Sequence, residues 1–246
     1  TESTNFIIKG YLDYRKFYGD GRNHVITSLV EHKATLNTCK YLNGELYSNN
    51  DPTTSLFGVK KKVDRGYEAS FVGVNPDGEI SVEEITSTIK ENTALVSMIY
   101  VNNEIGTISD VESVAEICNK NNIALHSHLT QALGKIEIDV KRMEIDYASC
   151  SAHKIYGPKG IGALYIKKGV KIHNFMHGGA QERKKRAGTE NVPAIVGYGK
   201  AAEMAKNNME NHVRELTRLR DKLMYGLQER IPHTRINGHK TDRLPG

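Results

Sequence analysis

Six short apolar runs separated by polar and helix-patterned stretches constrain this chain more than any other feature of its sequence. The runs are 25–30, 66–74, 94–101, 123–129, 147–150 and 162–166. Each is too short for a core helix, and 25–30 is rich in β-branched residues, the signature of a buried strand. Ser81-Val-Glu-Glu84 resembles a capping box and predicts a helix over 82–91. Residues 111–121 have helical spacing through Val111, Val114, Ile117 and Cys118. A long helix is predicted over 193–229, with Ala and Leu three and four residues apart and Pro232 closing it. Residues 44–63 are polar and end in Lys60–Lys62, which predicts a loop or an exposed hairpin. Strands alternating with helices predict an α/β fold with a mostly parallel central sheet covered by helices. In such sheets ligands bind beyond the carboxyl ends of the strands.

Composition narrows the function classes. Thirty-four basic against 29 acidic residues leave a net charge of +5. The basic residues are dispersed, with short clusters only at Lys60–Lys62 and Arg183–Arg186, so no nucleic-acid stripe is indicated. Hydrophobic residues make up 38%, mean hydropathy is −0.50, and no apolar run approaches the roughly 20 residues of a spanning helix. A membrane protein is not expected. Cys39, Cys118 and Cys150 are widely spaced, which argues against a disulfide framework or zinc site and favours a reducing, cytoplasmic setting. The opening Thr-Glu-Ser-Thr-Asn and the closing Arg243-Leu-Pro-Gly246 read as the ends of an internal fragment of a longer chain.

Chemistry concentrates in Ser151-Ala-His-Lys-Ile-Tyr-Gly-Pro-Lys-Gly160. A hydroxyl, an imidazole and an amine follow a strand directly and precede a Gly-rich loop. A partly desolvated lysine at a strand end can form a Schiff base with a carbonyl. Alone, Lys154 would read as a surface charge; the residues around it favour the chemical reading.

This segment resembles the pyridoxal-phosphate lysine signature of the cysteine desulfurases, fold-type I enzymes of the class V aminotransferase group. Four further stretches resemble the same family in the same order: Thr1-Glu-Ser, Thr27–His32, Val101–Gly106, and Gly178–Arg183 running into Arg186–Asn191. The resemblance implies the large domain of that fold over 1–192 and, over 193–246, a connecting long helix with the start of a smaller C-terminal domain. It implies pyridoxal 5'-phosphate as cofactor, with Lys154 as its Schiff-base lysine and His32 stacked on its ring, helping to move protons. It places Asn103 near the cofactor's phenolic oxygen and the substrate carboxylate, and Gln131 on the same oxygen. Thr1, Ser151 and His153 become phosphate contacts, with Thr1 opening a helix. Thr189 becomes a phosphate contact given to a partner subunit, implying a homodimer with shared active sites.

Three departures stand beside the matches. The family's aspartate on the pyridine nitrogen is replaced by His128 in Leu125-His-Ser-His-Leu-Thr-Gln131. A neutral imidazole can accept from the ring N–H or donate to a bare nitrogen, but brings no fixed negative charge, so a weaker electron sink and slower chemistry are expected. His126 and His128 share a strand face, but no third ligand stands nearby in sequence, and no metal site is assigned. Residues 47–63 read as a surface insertion. The family's catalytic cysteine and substrate-carboxylate arginine fall beyond Gly246 in this alignment of motifs, and Cys150 reads as a small buried hydrophobe.

The expected parent activity is conversion of L-cysteine to L-alanine, with sulfur delivered as a persulfide to an acceptor or iron–sulfur scaffold protein or to tRNA thiolation. Two alternatives remain: a catalytically weakened scaffold paralogue, motivated by His128, and a related class V enzyme such as a selenocysteine lyase.

Overall fold

The computed structural model describes residues 1–45 and 63–246. The expected loop over 44–63, the insertion over 47–63 and the Lys60–Lys62 cluster lie almost wholly outside the described residues. In chain order the elements are α1 (Glu2–Tyr18), β1 (His24–Ser28), α2 (Lys33–Leu42), β2 (Glu68–Val72), α3 (Val82–Thr88), β3 (Thr93–Ile99), α4 (Val111–Lys120), β4 (Ala124–His128), β5 (Tyr147–Ser151), a 3-10 turn (Ala152–Ile155), β6 (Gly162–Ile166), the four-residue α5 (Gln181–Lys184) and α6 (Val192–Arg230). The strands form one sheet in the order β2-β1-β3-β4-β5-β6. The first five are parallel, and β6 is an antiparallel edge.

Both sheet faces are buried, and strand periodicity divides the core between them. Ile26, Val96, Leu125 and Ala148 pack on one face with residues of α3 and α4, including Ile85, Val114 and Cys118. Their strand neighbours Val25, Leu95, Ala124 and Tyr147 pack on the other with Ile7, Ile8, Leu12 and Leu42 of α1 and α2. Leu95 is fully buried at the centre, opposite Val25 and Ala124 on its two flanking strands. Leu95→Ala is therefore expected to cost about 2–5 kcal/mol in denaturant unfolding. A cost under about 1 kcal/mol would contradict a close-packed site there.

Helices α1 and α2 carry no clear helical signature in sequence. Helix α1 has Gly10 in its interior, yet the residue has a structural reason. A side chain there would lie 2.4 Å from the His173 carbonyl oxygen, and the His173 N–H donates to the Gly10 carbonyl. Close chain crossing requires glycine there despite its cost to the helix. Helix α3 stops at Thr88, short of residue 91, because Ile89 is already extended. The segment after α6 returns to the β3–α4 connection: Leu244 N–H donates to Gly106 O and Ile108 N–H to Asp242 O.

Candidate active site

The sheet order reverses beside β1, with β2 on one side and β3 on the other. Such a switch point opens a crevice beyond the strands' carboxyl ends. Four of the parallel strands deliver candidate residues to that rim. β1 leads to His32, β3 to Asn103, β4 to His128 and Gln131, and β5 to Ser151, His153 and Lys154.

Beyond β1, Glu31 is buried and its Oε1 accepts hydrogen bonds from Ser28 Oγ at 2.8 Å and the Ile99 N–H at 2.7 Å. Burial pushes its carboxyl up to about 8, so it is a neutral acid near pH 7. His32 caps α2, with Nδ1 accepting from the Ala34 N–H at 3.1 Å. In the neutral ring the proton therefore sits on Nε2, leaving a donor free toward the rim. Burial lowers the His32 pKa, aided by the charges of Lys154 and His153. Asn102 donates to Val30 O and accepts from the N–H groups of Glu104 and Ile105, building the turn that presents the exposed Asn103.

On β4 the two histidines divide into different roles. His126 is fully enclosed, with Nδ1 bonded to Ser97 Oγ at 2.8 Å and Nε2 to Ser149 Oγ at 3.0 Å. Both nitrogens are thus committed to the sheet. Burial pushes its pKa down to about 3. His128 stands edge-on to the His32 ring, centroids 5.5 Å apart. Its Nε2 meets Thr130 Oγ1 at 2.8 Å, while Nδ1 is buried without a hydrogen-bond partner among the described residues. Burial first, then the charge on His32, pushes its pKa down to about 4. Among the described residues no group of three or more His, Cys, Asp or Glu is arranged to hold a metal ion.

Past β5 the chain enters the 3-10 turn, closed by Tyr156 in the left-handed region. Helix α6 packs directly on this turn. A Cβ at Gly157 would stand 2.9 Å from that of Ala152 and 3.1 Å from that of Ala201 on α6, so glycine permits the contact. Lys154 is exposed on this turn, and its charge bears on both His32 and Lys135. Beside it opens a cleft of about 950 Å³ lined by Thr1, Ser151, His153, Thr189, Lys185 and Arg186, among others. Thr1 is the N-cap of α1 and its hydroxyl makes no capping bond, so the first turn's N–H groups and that hydroxyl face an anion-favouring position.

The geometry therefore gathers the sequence candidates in two adjoining groups. Thr1, Ser151, His153 and Thr189 line the cleft; His32, His128 and Lys154 are coupled by ring contact and charge. Gln131 is half-buried just after Thr130, and Asn103 is exposed on the β3 side; neither lines the cleft. Sequence reading missed Glu31 and Thr130 as positioning groups; the only sequence signal for Glu31 is an acid directly before His32. Cys150 differs from expectation: it is half-buried, lines the cleft and accepts from the Tyr198 hydroxyl at 3.0 Å.

Comparison with known proteins bears on this geometry. The sequence family described as Aminotransferase class-V matches residues 1–246. The chain is 45% identical over 244 residues to the cysteine desulfurase IscS of Methanosarcina thermophila, which covers 99% of this chain and 54% of that protein. It thus spans about half the length of the curated relatives it matches. Among solved structures, DndA from Streptomyces lividans superposes with a TM-score of 0.85 at 33% identity, over 99% of this chain and 63% of that one. SspA in complex with cysteine superposes with a TM-score of 0.69 at 36% identity, over 82% of this chain and 52% of that one.

Proposed function

Because the chain belongs to the class-V aminotransferase family, we propose that it is the cofactor-binding part of a cysteine desulfurase converting L-cysteine to L-alanine. The family's cofactor is pyridoxal 5'-phosphate. What carries the reading is the ring contact of His32 with His128 and the Lys154 charge acting on His32, next to a cleft whose lining combines hydroxyls, cations and carboxylates with a helix start. The unpartnered, buried Nδ1 of His128 supports the fit, since a heteroaromatic nitrogen at that strand end would satisfy it.

Thr1, Ser151 and His153 would hold the phosphate, with Gln131 and Asn103 at the ring oxygen and Asn103 also near the substrate carboxylate. Bound there, the cofactor supplies an aldehyde for the Lys154 amine and a ring that draws electrons from the substrate α-carbon. The Lys154 amine, exposed at the strand end, would take the substrate α-proton. His32 donates a proton from Nε2, the nitrogen its capping bond leaves free. The carbon–sulfur bond of cysteine breaks, a protein thiol outside this chain takes the sulfur as a persulfide, and alanine leaves with the thiol's hydrogen.

The wider assignment follows the same reading. Thr189, exposed at the cleft rim, would reach a partner copy's phosphate site in a homodimer with shared active sites. The persulfide would serve an iron–sulfur scaffold protein or tRNA thiolation in the cytoplasm. The long helix α6 and the residues after it would begin a smaller second domain, with 1–192 as the large one.

The test is direct. The full-length protein, loaded with pyridoxal phosphate and given L-cysteine and a thiol reductant, is expected to release alanine and sulfide in equal amounts. His32→Ala should slow this by about 10²–10⁴-fold, the usual worth of a positioned proton donor. Absence of alanine would overturn the reading. His128 motivates a second one, a scaffold that has lost its electron sink. His128→Asp separates the two: a large gain in turnover marks a working site held back, and no gain without cofactor binding marks a scaffold.

A further inference from the structure

We propose that His128 donates a hydrogen bond from Nδ1 to an unprotonated ring nitrogen of the bound cofactor, and that the Thr130 hydroxyl fixes this tautomer by donating to Nε2. The proposal rests on the pyridoxal-phosphate reading and deepens it, by deciding the protonation state that the site selects.

Three observations carry it. The first is the hydrogen-bond inventory. His128 has one nitrogen bonded to Thr130 Oγ1 and the other buried without a partner among the described residues. Nδ1 stands as many bonds from its Cα as a carboxylate oxygen of aspartate would, so it meets the same point of a ligand.

The second is the charge around the rim. Among side chains, His32 is the group whose charge bears on His128, and Lys154 and His153 are those whose charges bear on His32. None of them brings a negative charge. The Glu31 carboxyl beyond β1 is buried and neutral, bonded to Ser28 and Ile99. Among the described residues, none of the groups whose charge bears on His128 or His32 would hold a pyridinium cation in place, and a buried cation without an opposite charge is strongly disfavoured. A bare pyridine nitrogen is an acceptor only, so its partner must donate.

The third is the state of the imidazole itself. Enclosure keeps His128 neutral near pH 7, so it carries a single N–H. If Nδ1 carries that proton, Nε2 is an acceptor and the Thr130 hydroxyl, which can rotate, must be the donor. Thr130 thereby becomes a positioning residue, acting on the cofactor through His128. The site then selects the neutral ring, a weaker electron sink than a carboxylate would maintain.

The test uses the full-length protein loaded with pyridoxal phosphate bearing nitrogen-15 in the ring, and reads the chemical shift of that nitrogen. The wild type should show the unprotonated position. His128→Asp should move the resonance to the protonated position, whereas His128→Asn, which also offers an N–H donor, should leave it unprotonated. Thr130→Val should weaken cofactor binding by about 3- to 10-fold, the worth of one hydrogen bond, and should broaden or shift the nitrogen signal; Thr130→Ser should restore both. A protonated resonance in the wild type, or Thr130→Val leaving the signal unmoved, overturns the proposal. Failure of the wild type to bind the cofactor at all would instead overturn the reading beneath it, and the two failures are distinct in the same spectrum.

Discussion

Lys154→Ala yields a folded, colourless protein: the Schiff-base absorption band seen when the full-length wild type is loaded with pyridoxal phosphate is lost, and turnover falls by at least 10²–10⁴-fold, the order of one missing proton-transfer group. The size of the effect follows from how little else the side chain does. Lys154 is exposed on the Ala152–Ile155 turn, whose packing comes from the buried Ala152 and Ile155. Removing an exposed side chain usually changes stability by less than about 0.5 kcal/mol, so the fold is retained while the amine is lost. Lys154→Arg should be equally colourless, because a guanidinium stays protonated and is no nucleophile at neutral pH. The informative failure is a band that survives in Lys154→Ala. The half-buried Lys135, whose amine is lowered by burial and by the Lys154 charge, would then be the competing amine. A band that survives Lys154→Ala and vanishes in Lys135→Ala would transfer the assignment.

The second large effect is on stability against pH. His24, His126 and His128 are buried, and desolvation pushes their pKa values down to about 4, 3 and 4. In the unfolded chain they titrate near 6.5. Between about 6.5 and 4 the unfolded state therefore binds protons that the folded state refuses, so stability is complete above that window and drains away as pH falls through it. Each group contributes about 1.4 kcal/mol per pH unit there. Glu31 works in the opposite sense. Its carboxyl, raised to about 8 from 4.5, stabilises the fold increasingly as pH falls from 8 to 4.5. The net below pH 6.5 is three groups against one, about 3 kcal/mol per unit, with His32 adding to the acid side. Carboxylates held low, such as Glu68 and Asp20, act only below about 4.5. Urea unfolding should thus show a stability maximum near pH 6.5, a shallow decline to pH 8 and a steep one toward pH 4.5. Two units of that slope rival the whole stability of an ordinary domain, about 5–15 kcal/mol. A flat profile between pH 7 and 5 would mean that these imidazoles are not buried as described.

The strands were legible because the information lies within each run. In β3, neighbouring Leu95 and Val96 both had to be apolar, since a strand covered on both faces buries every residue. Helices α1 and α2 were not legible. Thr35, Thr38, Cys39 and Tyr41 are poor helix formers, and Gly10 interrupts α1, so these segments are helical through packing against the sheet rather than by propensity. The antiparallel turn of β6 was likewise invisible, because strand direction depends on which neighbour a run pairs with.

The residues that resemble a known chemistry, Ser151-Ala-His-Lys above all, were determined by the chain alone, since a short motif carries its side chains and its backbone turn together. Their protonation states belong to the tertiary structure. Glu31 is neutral because the packed interior keeps water from it, which outweighs the hydrogen bond it accepts from an N–H 68 residues away on β3. His128 is neutral for the same reason, with one nitrogen held by Thr130 and the other left for a ligand. Charge in a protein interior is set by what surrounds a group in space, and no stretch of sequence contains its own surroundings.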